Sequence, residues 1–172
     1  MSINLYDATV MNYLQTLGAI EGVLARGLEH CSKSGIDPQQ IVETRIFPDM
    51  LPFRFQVANV INHSVGAIEA ARSGTFTPKP TPELDYAGLQ KALGEARETL
   101  SKVSAEEVNG FVGKDVKFLF NERAIPFTGE GFLLSFSLPN FYFHTSMAYA
   151  ILRGQGVPLG KRDFMGQLRI KR

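Results

Sequence analysis

Two Asn-x-x-x-His pairs stand out among the residues whose types and spacing could do chemistry. Asn140 and His144 are four apart, and Asn59 and His63 repeat that spacing. On a helix, residues four apart share a face. If the two segments are facing helices, they put two imidazoles and two amides into one polar cluster. Imidazole is a general base near neutral pH and a common metal ligand. An amide can orient a ligand or hold developing oxyanion charge. His144 and Asn140 are therefore the candidate catalytic pair. His63, Asn59 and Tyr142 are candidate substrate contacts. Arg45, Asp49 and Gln56 bracket the start of the same helix as His63, and Arg45 and Gln56 add contacts for a polar or anionic substrate. The plainer reading of His63 is a satisfied core imidazole. For Arg45 and Asp49 it is an ion pair that fastens a connector.

A metal reading draws on the same residues. Catalytic zinc takes about three protein ligands and keeps an open position. The chain has three histidines. His30 falls off the apolar stripe of its helix, near the end, where it reads as solvated or as a helix C-terminal cation. This leaves His63 and His144, with Asp49 or Asn140 as a third ligand, for a divalent ion such as zinc or nickel. No HExxH or cysteine cluster is present. GVPLGK resembles a phosphate loop by eye, but the required glycine position is Gln155 and Arg162 follows Lys161. Cys31 has no base beside it except His30, which argues against a nucleophile.

The elements that must position these groups follow from periodicity. Helix one is expected from about Leu5 to Ser32, with Val10, Tyr13, Leu14, Leu17, Ile20, Leu24 and Leu28 as its stripe and Gly35 beyond its end. Asp37-Pro38 opens a short helix, as N-cap and first helical residue. Helix two is expected from about Pro52 to Ser73, stopped by Gly74. The segment TFTPKPT, Thr75 to Thr81, reads as an exposed extended loop. Helix three opens at Thr81-Pro82-Glu83 and runs to about Val103. Ser104-Ala105-Glu106-Glu107 is a capping box. From Asp115 to Phe127 the period changes to two, with Asn121-Glu122 as the turn, which predicts a small β-hairpin. The last helix is expected from near Thr128 to Gly154 or Gly156.

From Gly131 to Leu152 that last helix carries no Asp, Glu, Lys or Arg. Its length could span a membrane, but Ser135, Ser137, Pro139, Asn140, His144, Thr145 and Ser146 argue against lipid. It reads instead as the central element of a water-soluble helical domain, kinked at Pro139. The fold class expected is mainly all-α: a four-helix bundle with a small β-hairpin before the last helix. Residues 1–172 are expected to form a single domain, with 157–172 an irregular basic tail carrying Lys161, Arg162, Arg169, Lys171 and Arg172.

Composition sets outer bounds. A chain of 172 residues with 44% hydrophobic and 20% charged residues fits one ordinary globular domain. The formal net charge is +1, so no field draws nucleic acid or anionic lipid to the whole surface. One cysteine allows no internal disulfide. MSINLYDATV lacks a basic region followed by an apolar run, and a cytoplasmic location is the default expectation.

At its last helix the chain resembles the DinB/YfiT-like superfamily. Members of that superfamily share a four-helix bundle and an HxxxH-type motif on the last helix, followed by a leucine-arginine pair and a glycine. The matching run here is Asn140 to His144, then Leu152-Arg153 and Gly156. By this resemblance His144 takes the place of the second histidine and Asn140 departs from the first. The ligand from helix two falls to His63. The phrases PDMLPFRFQV, PFTGEGFLL, LPNFYFH and AYAILRGQGVPLGKRDFMG resemble more closely an uncharacterised, domain-of-unknown-function branch, over nearly the whole chain. The resemblance implies the bundle fold and a homodimer, and no reaction.

The functional expectation is a small-molecule site in the bundle without a tightly bound metal, walled by Phe136, Phe141, Tyr142, Phe143 and Met147. His144 would serve as base and Asn140 as oxyanion donor. Two alternatives stay open: a metal-dependent hydrolase or transferase of DinB/YfiT-like type, and a non-catalytic dimeric binding protein.

Overall fold

The computed structural model describes residues 3–171, so Arg172 lies outside the described residues. Helix α1 (Leu5–Ala8) is capped by the Asn4 side chain and runs into α2 (Val10–Ser34) through an irregular residue, Thr9. The Thr9 hydroxyl donates to the Leu5 carbonyl at 2.6 Å, the back-bond by which Ser and Thr bend helices. The one long helix expected here is therefore broken near its start. Gly35 ends α2 in the left-handed conformation, φ +67, where a side chain would be strained. Asp37 and Pro38 open α3 (Pro38–Val42) as anticipated, with the Asp37 carboxylate accepting from the Gln39 N–H.

Helix two also divides, into α4 (Phe53–Asn62) and α5 (Val65–Ser73). Ser64 sits at the break and its hydroxyl donates to the Val60 carbonyl at 2.7 Å. Gly74 then turns the chain into β1 (Thr75–Phe76), which pairs in parallel with β2 (Asp115–Phe120). Here the expected exposed loop is corrected at its start, while residues 77–80 remain exposed and without regular structure. Phe76 is buried, and its ring packs on Phe118 and Phe132. The Thr- and Pro-rich composition around it hid a single aromatic anchor.

Helix α6 (Tyr86–Ser101) begins later than expected because Asp85, not Thr81, caps it. Ser104 caps α7 (Ala105–Asn109), accepting from the Glu107 N–H. β2 pairs antiparallel with β3 (Arg123–Thr128) in the register Asp115 to Thr128 and Phe120 to Arg123. Asn121 takes the left-handed turn position at φ 54. The expected hairpin is present, as part of a three-stranded sheet in the order β1-β2-β3.

The last helical run comprises α8 (Gly129–Gly131), a π-helical segment (Phe132–Ser137) and α9 (Leu138–Gly154). Pro139 sits within the continuous helical run, as expected, in the first turn of α9 and one residue past the π segment. The wider π turn leaves room for a pyrrolidine ring that would otherwise press on the carbonyl four residues back. The tail expected to be irregular contains α10 (Lys161–Met165), which packs on α2.

The chain is mostly helical, as expected. The longer helices pack in a closed cycle, α2 on α6, α6 on α4, α4 on α9 and α9 on α2. Tyr13, Leu17, Ile20, Leu93, Phe53, Val57, Phe141 and Leu152 fill its centre. Among the described residues no helix is long and apolar enough to cross a membrane.

The α2–α6 contact depends on a missing side chain. The Tyr86 hydroxyl donates to the Leu24 carbonyl at 2.8 Å. A Cβ at Gly27 would stand 2.2 Å from that hydroxyl. Gly27→Ala is expected to destabilise the protein by about 1–3 kcal/mol through overpacking. Urea unfolding checks this, and an unchanged midpoint would show that the phenol can leave at no cost.

Candidate functional site

Helices α4 and α9 lie side by side and bring His63 and His144 together. The two rings are nearly parallel, 14° apart in plane, with centroids 5.7 Å apart. Both side chains are buried, at 6% and 8% exposure. Phe76 and Phe136 pack on His63, and Phe55 and Phe143 pack on His144. The expected meeting of two helices through their histidines is observed.

Gln56 decides the state of His144. Its Nε2 donates to the Leu51 carbonyl at 2.8 Å. A carbonyl can only accept, so the amide nitrogen must face it and Oε1 must face the other way. That oxygen lies 2.9 Å from His144 Nδ1. Nδ1 therefore carries the proton, and Nε2 of a neutral His144 keeps its lone pair. Gln56, anticipated as a substrate contact, is itself buried and works through His144.

Burial holds both imidazoles neutral. Loss of water pushes the pKa of His144 down to about 4. The same desolvation, with a smaller effect from His144, pushes His63 down to about 4. His63 Nδ1 is buried and has no hydrogen-bond partner among the described residues. Its backbone carbonyl is satisfied. At the break between α4 and α5 the Ser137 hydroxyl donates to the His63 carbonyl at 2.8 Å, and the Tyr13 hydroxyl donates to Ser137 at 3.3 Å.

The asparagines behave alike. Asn140 Nδ2 donates to the Phe136 carbonyl at 2.7 Å and Asn59 Nδ2 to the Phe55 carbonyl at 3.0 Å. Each amide folds back on its own helix. Among the described residues neither is hydrogen-bonded to an imidazole.

Other candidates lie elsewhere. Arg45 is exposed and donates to the Met50 carbonyl at 2.7 Å, so it fastens the connector without Asp49. Asp49 is exposed in that connector. Tyr142 stands on another side of α9, beside Asn12, Thr16 and Phe164. Phe141 points to the core and packs on Tyr13. His30 lies near Gly156, beyond the end of α9. Cys31 is buried, and desolvation pushes its thiol pKa up, opposite to what a nucleophile needs.

A three-histidine metal set does not fit these residues. His63 and His144 supply two neutral donors, the position matching the third is the back-bonded Asn140, and Asp49 does not join them. Among the described residues no group of three or more His, Cys, Asp or Glu side chains could hold an ion. A hollow beside the pair was also expected, but phenyl rings pack against both imidazoles, and clefts of about 780, 240 and 220 Å³ lie elsewhere. Phe143, at 53% exposure, is the wall with room to move.

Sequence reasoning missed Phe55, Phe76 and Ser137 as parts of this region. Only Ser137 left a signal, as a polar residue in an uncharged helix.

The sequence matches the family described as "Domain of unknown function (DUF1993)" over residues 5–165. Among solved structures, the chain is similar to one described as the crystal structure of a DinB family member from Shewanella denitrificans. Identity is 21%, the TM-score is 0.81, and the match covers 98% of this chain and 95% of that one. No curated protein matches the chain.

Two predictions follow from the imidazole pair. An unfolded histidine titrates near 6.5, above the folded values of about 4. Between these limits the unfolded chain binds more protons, so stability rises with pH across this window and is lost as pH falls through it. Each histidine should contribute a slope of up to about 1.4 kcal/mol per pH unit. Urea midpoints from pH 7 to pH 4 measure it, and the slope should shrink in His144→Gln. Second, Gln56→Leu removes the acceptor at Nδ1. Nitrogen NMR should show His144 as the Nδ1–H tautomer in the parent and a mixture in the variant.

Proposed function

We propose that this chain, which belongs to the DUF1993 family and folds like a DinB family member, binds a small molecule at the seam of α4 and α9. The observation that carries this reading is the Leu51–Gln56–His144 relay, which leaves a neutral Nε2 as a hydrogen-bond acceptor. Buried polar groups are normally satisfied, and Nδ1 of the neighbouring His63 ring, unpartnered among the described residues, is a second group awaiting a partner. A ligand with a donor group and an apolar body suits the pair, with the half-exposed Phe143 ring giving way.

Proton transfer is the finer form of this proposal. His144 would take the proton and Asn140 would use its free N–H to hold oxyanion charge. A base titrating near 4 is weak at neutral pH, since general bases work best near the operating pH. Ligand binding therefore stands ahead of catalysis.

A second reading is a metal-dependent hydrolase or transferase of DinB/YfiT-like type, using zinc or nickel. The fixed His144 tautomer favours it, because metal-binding imidazoles commonly donate their other nitrogen to a carbonyl oxygen. The short donor set counts against it.

A thermal-shift screen of metabolites, run beside metal analysis of protein purified without added metal, separates these readings. Under the first, a donor-bearing compound raises the melting temperature of the parent and not of His144→Ala, and metal stays far below one equivalent. Stoichiometric zinc or nickel, lost in both His63→Ala and His144→Ala, would replace it with the second. Neither a stabilising compound nor a metal would leave the pair a packing role.

A further inference from the structure

A cleft of about 780 Å³ lies away from the imidazole pair, between α2, α6 and the segment after α10. That volume falls within the range of about 300–1,000 Å³ usual for small-molecule sites. The segment forms one wall as a fastened strap. Gly166, at φ +61, lets the backbone cross α2 so closely that a Cβ there would stand 2.9 Å from Ala19 Cβ. Gln15 Nε2 donates to the Met165 carbonyl at 3.0 Å on the near side of this crossing. Arg169 Nη2 donates to Asn12 Oδ1 at 2.6 Å farther along.

The strap holds apolar side chains out of the core. Leu168 and Ile170 are 52% and 74% exposed, and they line the cleft with Met11 and Leu14 of α2. The cleft also holds two guanidinium groups. Arg97 lies over Gly18 and pairs with Glu21 at 2.8 Å, so its charge is answered. Among the described residues Arg169 bonds a neutral amide oxygen and forms no ion pair with a carboxylate. The Tyr142 phenol, 37% exposed, lies in the small adjoining cleft with Asn12 and Gln15. An uncompensated planar cation beside an open aliphatic wall is complementary to a molecule with one anionic end and an apolar body.

We propose that this cleft is a binding site for an amphipathic anion, with a carboxylate-type head on Arg169 and an aliphatic chain along Met11, Leu14, Leu168 and Ile170. The site is independent of the histidine pair.

Calorimetric titration with three ten-carbon probes of equal tail tests it: decanoate, decanol and decyltrimethylammonium, each below its micellar concentration. Decanoate should saturate a single site and bind about tenfold more tightly than decanol, and the cation should bind no better than the alcohol. Arg169→Gln should bring decanoate down to the decanol level, and Leu168→Ser should weaken both. Both residues are exposed, and either variant alone carries the test if the other fails to fold. Equal binding of the three probes, no saturable binding of decanoate, or an unchanged decanoate affinity in Arg169→Gln overturns the proposal. So does a stable dimer in light scattering that Leu168→Ser dissociates, because the cleft would then be covered by a second copy.

Discussion

A backbone carbonyl cannot donate, and from that constraint at Leu51 the chemistry of the whole α4–α9 seam follows. It orients the Gln56 amide, the amide selects the proton position on His144, and the tautomer decides which ring nitrogen is free. The Gln56–His144 link is buried away from water, and the Gln56–Leu51 link is part-buried. The Pro-flanked connector before α4 positions that carbonyl and, through Arg45, is fastened to itself. A segment with no reactive side chain of its own thus sets the state of a residue on the last helix.

The same seam depends on interrupted helices. A continuous helix through His63 would pair its carbonyl within the helix. The break at Ser64 frees it, and Ser137 answers from the π segment, backed by Tyr13. On the facing element, the π turn makes room for Pro139 and starts α9 with His144 directed at α4. Two irregularities, one on each side, meet at one hydrogen bond. Around them the sheet contributes aromatic rings rather than a surface. Phe76 and Phe118 reach Phe136, and Phe76 and Phe136 both close on His63. Desolvation, by Phe76 and Phe136 at His63 and by Phe55 and Phe143 at His144, lowers the pKa of both imidazoles more than any neighbouring charge.

Much of this was legible because it is written in local spacing. The i, i+4 rule put Asn140 with His144 and Asn59 with His63, and the approach of the two histidines followed once their helices packed. Gly35, Asp37-Pro38, Ser104 and Asn121 marked caps and turns whose chemistry is local, and each does its expected work. Tyr142 was grouped with His144 by sequence, but two residues along a helix point to different sides, and it stands with Asn12 and Thr16. Gln56 was noticed, but its bond to His144 was not legible, since it spans 88 positions. Phe76 was hidden because one aromatic among threonines and prolines carries no periodicity.

The sequence by itself determined the mainly helical class, the hairpin, the ends of most elements and the two histidine-bearing faces, because backbone capping and side-chain periodicity act within a few residues. Tertiary structure alone decided the proton position on His144, the solvent-free surroundings of both imidazoles, the strand formed by Phe76 and the strap that carries Arg169. Each of these depends on groups distant in the chain meeting in space, and desolvation has no value until the packing that removes the water exists.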